Sequence, residues 1–146
     1  MKTLAFFAIG IAAGALITLQ SVLNAALGEK AGNLGSVLAL TLVSIAVLLL
    51  LIPAFPSTAN FKGLPGPSEW YLYIGGALGV AILAAPILLI PKIGATLTLT
   101  AMVLGQLLMA LLIDHWGLFN APRIEINLAR IIGLALLIMG AVLIKR

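Results

Sequence analysis

Apolar residues run through this chain in blocks of roughly 20, separated by short stretches that carry Pro, Gly and Lys. Five blocks are legible: residues 4–27, 34–52, 70–90, 93–113 and 128–144. Each is near the ~20 residues a helix needs to cross ~30 Å of hydrocarbon. None alternates with a period of two, and each is well beyond the ~10 residues of a barrel strand. The pattern predicts an all-α integral membrane protein, with five transmembrane helices in one transmembrane domain over residues 1–146. Between the blocks, GEKAGN (28–33) reads as a short turn. The stretch PAFPSTANFKGLPGPSEW (53–70) reads as an ordered surface loop, and Pro91-Lys92 as a tight turn. Residues 114–127 form the last link. Pro86 is expected to kink the third helix or end it early, because its ring removes a helical hydrogen bond.

Composition agrees with the pattern. Hydrophobic residues make up 63% of the chain and charged residues 8%, against about a quarter charged in a soluble domain. Too few polar residues remain to cover a water-facing surface. The formal net charge of +4 does not point to nucleic acid, because the eight Lys and Arg are scattered singly and form no basic face. With no cysteine and one histidine, neither a disulfide framework nor a metal centre is expected, and no cofactor. The opening MKTLAFFAIGIAAGALITLQS mimics a secretory signal. Its apolar run is longer than a signal core and all that follows is equally apolar, so a first transmembrane helix is the better reading.

Five crossings place the two termini on opposite faces. On the face of the N-terminus (side A) lie Lys2, Lys62, Arg123 and Arg130; on side B lie Lys30, Lys92, Lys145 and Arg146. Orientation follows the imbalance of Lys and Arg between the two sides, and here four face four. The balance predicts insertion in both orientations and pairing of opposed copies as an antiparallel homodimer. Such a dimer reproduces between two chains the inverted repeat that many transporters carry within one. Partners are then membrane lipid, a second copy of the chain and a small-molecule solute.

Polar groups inside hydrocarbon mark either helix–helix hydrogen bonds or a water-filled path. The first block carries Gln20, Ser21 and Asn24, the second Thr41 and Ser44, the fourth Thr96, Thr98, Thr100 and Gln106. Gln20 and Asn24, four apart, share a helix face. By helical rise, Gln20 lies roughly 10 Å from the side-B end of its block and Gln106 roughly 10 Å from the side-A end of its own. In an antiparallel dimer the two fall at similar depth. Gln20, Asn24, Thr100 and Gln106 are therefore the candidate solute-binding residues, with Trp70 and Tyr73 as aromatic surface near the mouth. Trp70, Tyr71, Tyr73, Trp116 and Phe119 stand at block ends, where aromatic belts anchor membrane proteins. Gly10/Gly14 and Gly75/Gly79 form GxxxG pairs suited to helix packing, and Gly133 and Gly140 lie a heptad apart.

Asp114-His115 ends the fourth block. It reads either as a solvated helix end, or as a proton relay or gate contact with Arg123 or Arg130. An intramembrane enzyme built on this pair is disfavoured, because neighbours on a helix point about 100° apart and do not converge on one atom. No carboxylate or amine lies deep in any block, which disfavours a cation site and favours a neutral or zwitterionic solute.

The stretches LQSVLNAALG (19–28), GGALGV (75–80), PKIGATLTLTAMVLGQLLMALLIDHWGLF (91–119) and RIIGLALLIMGAVLI (130–144) resemble the YdcZ-type five-helix family of bacterial inner-membrane exporters in the drug/metabolite transporter superfamily. The segment with GQ and IDHWG is the most specific of them. The resemblance implies a multi-pass helical-bundle transporter of the bacterial inner membrane, related to the four-helix small multidrug resistance proteins. Those work as antiparallel dimers with a glutamate in the first helix. This chain has Gln20 and Asn24 there and no acid. The expected function is alternating-access transport of a small polar or amphipathic solute within an antiparallel homodimer. The alternatives are a structural or assembly subunit without a solute path, or a channel.

Overall fold

The computed structural model describes residues 2–144. Lys145 and Arg146 of the charge count lie outside the described residues, as does the side chain of Lys2. Five α-helices follow one another: α1 (Lys2–Ala31), α2 (Asn33–Ala54), α3 (Ile74–Ile93), α4 (Ala95–Trp116) and α5 (Leu128–Ile144). Among the described residues there is no strand. The segments Thr3–Ala31, Asn33–Ala54, Pro67–Ile93 and Ala95–Trp116 are long and apolar enough to cross a membrane. Leu128–Ile144 is apolar but shorter, at 17 residues, or about 26 Å of helix.

The helix breaks differ from those the sequence pattern predicts. GEKAGN is not a turn: α1 runs through Glu29 and Lys30 to Ala31, and the chain breaks at Gly32. Pro91-Lys92 is not a turn either, since α3 continues to Ile93 and the break falls at Gly94. Glu and Lys are good helix formers. Leaving a helix abruptly needs a positive φ, which glycine alone adopts without steric cost, and Gly32 and Gly94 sit at φ 72° and 78°. Pro86 does not end α3, which contains both Pro86 and Pro91, and α2 likewise contains Pro53. Membrane helices tolerate such a residue where neighbouring helices, Ser/Thr side chains or a local 3₁₀ adjustment satisfy the carbonyls that the proline frees. Residues 53–70 divide between the end of α2 and three short 3₁₀ turns at Pro56–Thr58, Phe61–Gly63 and Pro67–Tyr73.

The two glycine breaks are copies of one junction. Gly32 has φ 72°, ψ 164° and Gly94 has φ 78°, ψ 162°. Each carbonyl accepts the amide four residues on: Ser36 N at 2.9 Å and Thr98 N at 3.2 Å. Ser36 and Thr98 are both fully buried, at 0% exposure. The shift of 62 residues that carries position 32 to 94 also carries buried Asn24 onto buried Pro86 and buried Ala25 onto buried Ile87. It carries buried Ser21, Gly28 and Val37 onto half-buried Leu83, Ile90 and Leu99. The residues around Gly32 and around Gly94 therefore share one local turn and a similar run of buried positions along the chain. Among these pairs only Gly32/Gly94 keeps its identity and only Ser36/Thr98 keeps a hydroxyl.

The chain divides into two compact units, Met1–Lys92 and Ile93–Arg146. In the first, burial is confined to one end. Ser21, Asn24, Ala25 and Gly28 of α1, Ser36 and Val37 of α2, and Pro86 and Ile87 of α3 are buried. Residues 3–20 of α1 and 42–51 of α2 are exposed throughout. At Gly28 the helices approach closely: a Cβ there would overlap Ile87 Cγ2 and would stand 3.7 Å from Ser36 Oγ. In the second unit α4 packs along α5. Gly117, left-handed at φ 63°, caps α4 by donating its N–H to Ile113 O. The link then returns, with Ile124 N donating to Asp114 O at 2.8 Å. Asn127 starts α5 as a side-chain cap, its Oδ1 accepting the Arg130 amide at 2.9 Å.

Candidate functional site

In the first unit, Gln20 and Asn24 line one concavity of about 430 Å³ with Leu16, Leu19, Leu23, Leu40, Val43, Ser44 and Leu83. Asn24 is 3% exposed, whereas Gln20 is exposed. The concavity begins where the packed end stops, since its α2 wall (Leu40, Val43, Ser44) follows buried Ser36 and Val37 and its α3 wall, Leu83, precedes buried Pro86. No charged side chain lines it. The Ser44 hydroxyl donates to Leu40 O at 3.0 Å. That bond satisfies the donor within its own helix and leaves the oxygen free to accept. Ser44 joins the candidate residues through the structure; in the sequence it is one of many hydroxyls.

On α4 the structure separates two candidates. Thr100 lies on the stripe facing α5, in an apolar groove with Leu97, Ala101, Leu104, Ile138, Ala141 and Val142. Its hydroxyl donates to Thr96 O at 2.7 Å. Gln106, six residues on, is rotated by about 240° at 3.6 residues per turn, and its side is exposed. Its place becomes clear through the repeat. Ser36, Leu40 and Ser44 form an i, i+4, i+8 row on α2, and the same shift carries them onto Thr98, Met102 and Gln106 of α4. In each row the first residue is buried and the middle one half-buried. Gln106 is thus the counterpart of Ser44, and Thr100 is not part of that row.

Asp114 is paired. Arg130 Nη1 lies 3.1 Å from Asp114 Oδ2, with the side chains 28% and 33% exposed respectively. Of the two arginines read as possible partners, Arg130 is the one that reaches it; Arg123 instead lies against Gly117, whose Cβ would stand 3.4 Å from Arg123 Cβ. His115 points elsewhere on the helix, with its ring 6.2 Å from that of Trp116. Its Nδ1 is buried without a hydrogen-bond partner among the described residues. The contact made is therefore Asp114–Arg130, and His115 takes no part in it. Tyr73 is tethered to the loop by its hydroxyl, which donates to Pro65 O at 2.9 Å, while Trp70 is 65% exposed. At Gly10, Gly14, Gly75, Gly79, Gly133 and Gly140 a Cβ would meet nothing within 4 Å. At Gly28, by contrast, a Cβ would overlap Ile87 Cγ2.

A family described as "Putative inner membrane exporter, YdcZ" matches residues 5–143. That is nearly the whole chain, apolar helices and polar positions together. The chain belongs to the YdcZ family. No curated protein matches it, and no solved structure does. As a YdcZ-family member with several membrane-length apolar helices, it is a multi-pass inner-membrane protein of a family described as exporters. The YdcZ description names no solute. The chemistry therefore has to be read from the concavity, where amides and a hydroxyl stand among leucines.

Proposed function

We propose that this YdcZ-family chain moves a small polar or amphipathic solute by alternating access, as one half of an antiparallel, dual-topology homodimer in the bacterial inner membrane. The observation that carries the reading is the concavity of about 430 Å³ that stops against the packed end of the first unit. Alternating access needs a polar site closed towards one face of the membrane and open towards the other. Here Asn24, Gln20 and Ser44 supply donors and acceptors, and the knot at Gly28, Ser36 and Ile87 supplies the closure. An uncharged lining suits a neutral or zwitterionic solute, because a lone charge in such a place would be strongly disfavoured. Gln106 and Thr100 are the α4 contributions, and Gln106 has the better claim as the counterpart of Ser44. The balanced Lys and Arg count supports opposed insertion.

Two measurements test this. Single cysteines at Ser57 and Ala31, which leave the charge count unchanged, are labelled in intact cells with an impermeant thiol reagent. Comparable labelling of each site from both sides is expected; labelling from one side only refutes the antiparallel dimer. A thermal-shift panel of amino acids, polyols and quaternary ammonium salts is then run on the wild type, Asn24→Leu and Gln106→Leu. Stabilisation by neutral or zwitterionic solutes should vanish in both variants while the dimer persists. Loss of the dimer in Gln106→Leu would instead make Gln106 a helix-packing residue.

A further inference from the structure

The groove between α4 and α5 has a charged mouth and an apolar body. It measures about 290 Å³ and is lined by Leu107, Leu111, Gly133, Leu134 and Leu137, with Asp114 and Arg130 at one end. Asp114 stands two residues before the end of α4, and Arg130 is the third residue of α5. Leu107 and Leu137 lie seven residues further along their helices, about 10 Å deeper. In a membrane protein, helix ends with charged side chains sit at the headgroup level. The groove therefore starts among headgroups and runs into hydrocarbon, the direction of a phospholipid chain.

The mouth offers both signs of charge. Arg130 meets Asp114 through one nitrogen and one oxygen, so the contact is not a fork-to-fork pair. A guanidinium has five N–H donors and a carboxylate two oxygens, which leaves most donors of Arg130 and one oxygen of Asp114 for a ligand. Both side chains keep part of their surface, and the Asn127 cap fixes where Arg130 begins. Arg123 and Glu125 on the link are of opposite sign and leave the balance unchanged. An anionic headgroup would face the Asp114 carboxylate, and a cationic one the Arg130 guanidinium. A headgroup carrying a phosphate and an ammonium matches both.

We infer that the α4–α5 groove is a binding site for a zwitterionic phospholipid with a primary ammonium headgroup, its phosphate on Arg130, its ammonium on Asp114 and one acyl chain over Gly133. The inference requires only the membrane setting and stands apart from the transport reading. The test uses the full chain, purified, delipidated and offered equimolar phosphatidylethanolamine and phosphatidylglycerol, with retained lipid counted by native mass spectrometry. Wild type should retain the former about tenfold more, the scale of one charge-assisted hydrogen bond. Gly133→Leu occupies the groove from a position where a Cβ meets nothing within 4 Å, and should lose that retention without a lower melting temperature, since leucine is the better helix former. Asp114→Asn leaves Arg130 unbalanced and should reverse the preference towards phosphatidylglycerol. Equal retention of both lipids by wild type would overturn the proposal, as would full retention by Gly133→Leu. A Gly133→Leu variant that changes oligomeric state without changing lipid retention would also overturn it and give the groove to a second copy of the chain.

Discussion

Gly28→Ala tests the packed end of the first unit directly. The added methyl would overlap Ile87 Cγ2. Ile87 is 2% exposed, and a β-branched side chain is stiff about χ1, so it cannot swing aside. Overpacking of this kind costs about 1–3 kcal/mol. Replacing glycine by alanine inside a helix returns about 1 kcal/mol. The net expectation is a loss of about 1 kcal/mol, read from unfolding titrations in mixed micelles. Leucine at position 87 has no Cγ2 and keeps the volume, so Ile87→Leu alone should cost below about 1.5 kcal/mol. Combined with Gly28→Ala it should relieve the collision, with a coupling term of about 1–2 kcal/mol in the double-mutant cycle. Gly10→Ala is the control, because a methyl there meets nothing within 4 Å; it should be neutral or gain up to about 1 kcal/mol. Additive behaviour of Gly28→Ala and Ile87→Leu, or equal stabilities of Gly28→Ala and Gly10→Ala, would refute the assignment of this contact as the closure.

Gly32→Ala and Gly94→Ala should each lose about 1–3 kcal/mol in the same titration, because both positions combine positive φ with ψ near 160°, a region that only glycine adopts freely; similar losses at the two sites would also support the repeat. Asn127→Ala should cost about 1 kcal/mol by removing the α5 cap, seen as earlier loss of amide-exchange protection at residues 128–131. Asp114→Asn should change stability by no more than about 1 kcal/mol, since the ion pair is about a third exposed. A larger loss would mean that the pair is shielded from water.

Much of this architecture is legible in the sequence because hydrocarbon thickness imposes a length and an apolar composition on each helix. The breaks are less so. GEKAGN draws the eye through its charges, yet the turn depends on one dihedral at Gly32, and the charged residues before it continue the helix. The contact of Asp114 was open between Arg123 and Arg130, because nothing in the spacing shows that Ile124 folds back onto Asp114 O. Thr100 and Gln106 illustrate another limit. Depth along the axis comes from counting residues and places both usefully, but rotation about the axis separates them, and only the row Thr98, Met102, Gln106 connects Gln106 to Ser44. Gly28 was hidden because its contact, Ile87, is distant in the chain, although Ala25, Ala31 and Gly32 stand three and four residues from it.

Confining burial to one end of the first unit makes a fulcrum. From Val37 to Ala54, α2 extends for about 26 Å at 1.5 Å per residue with its far stretch exposed. A tilt of about 10° at the fixed end would carry the free end by roughly 4–5 Å over that arm, close to the width of a small solute. Little needs to change at Gly28, Ser36 and Ile87 for much to change at the mouth. Leverage would let a chain this short open and close a passage without unfolding any helix.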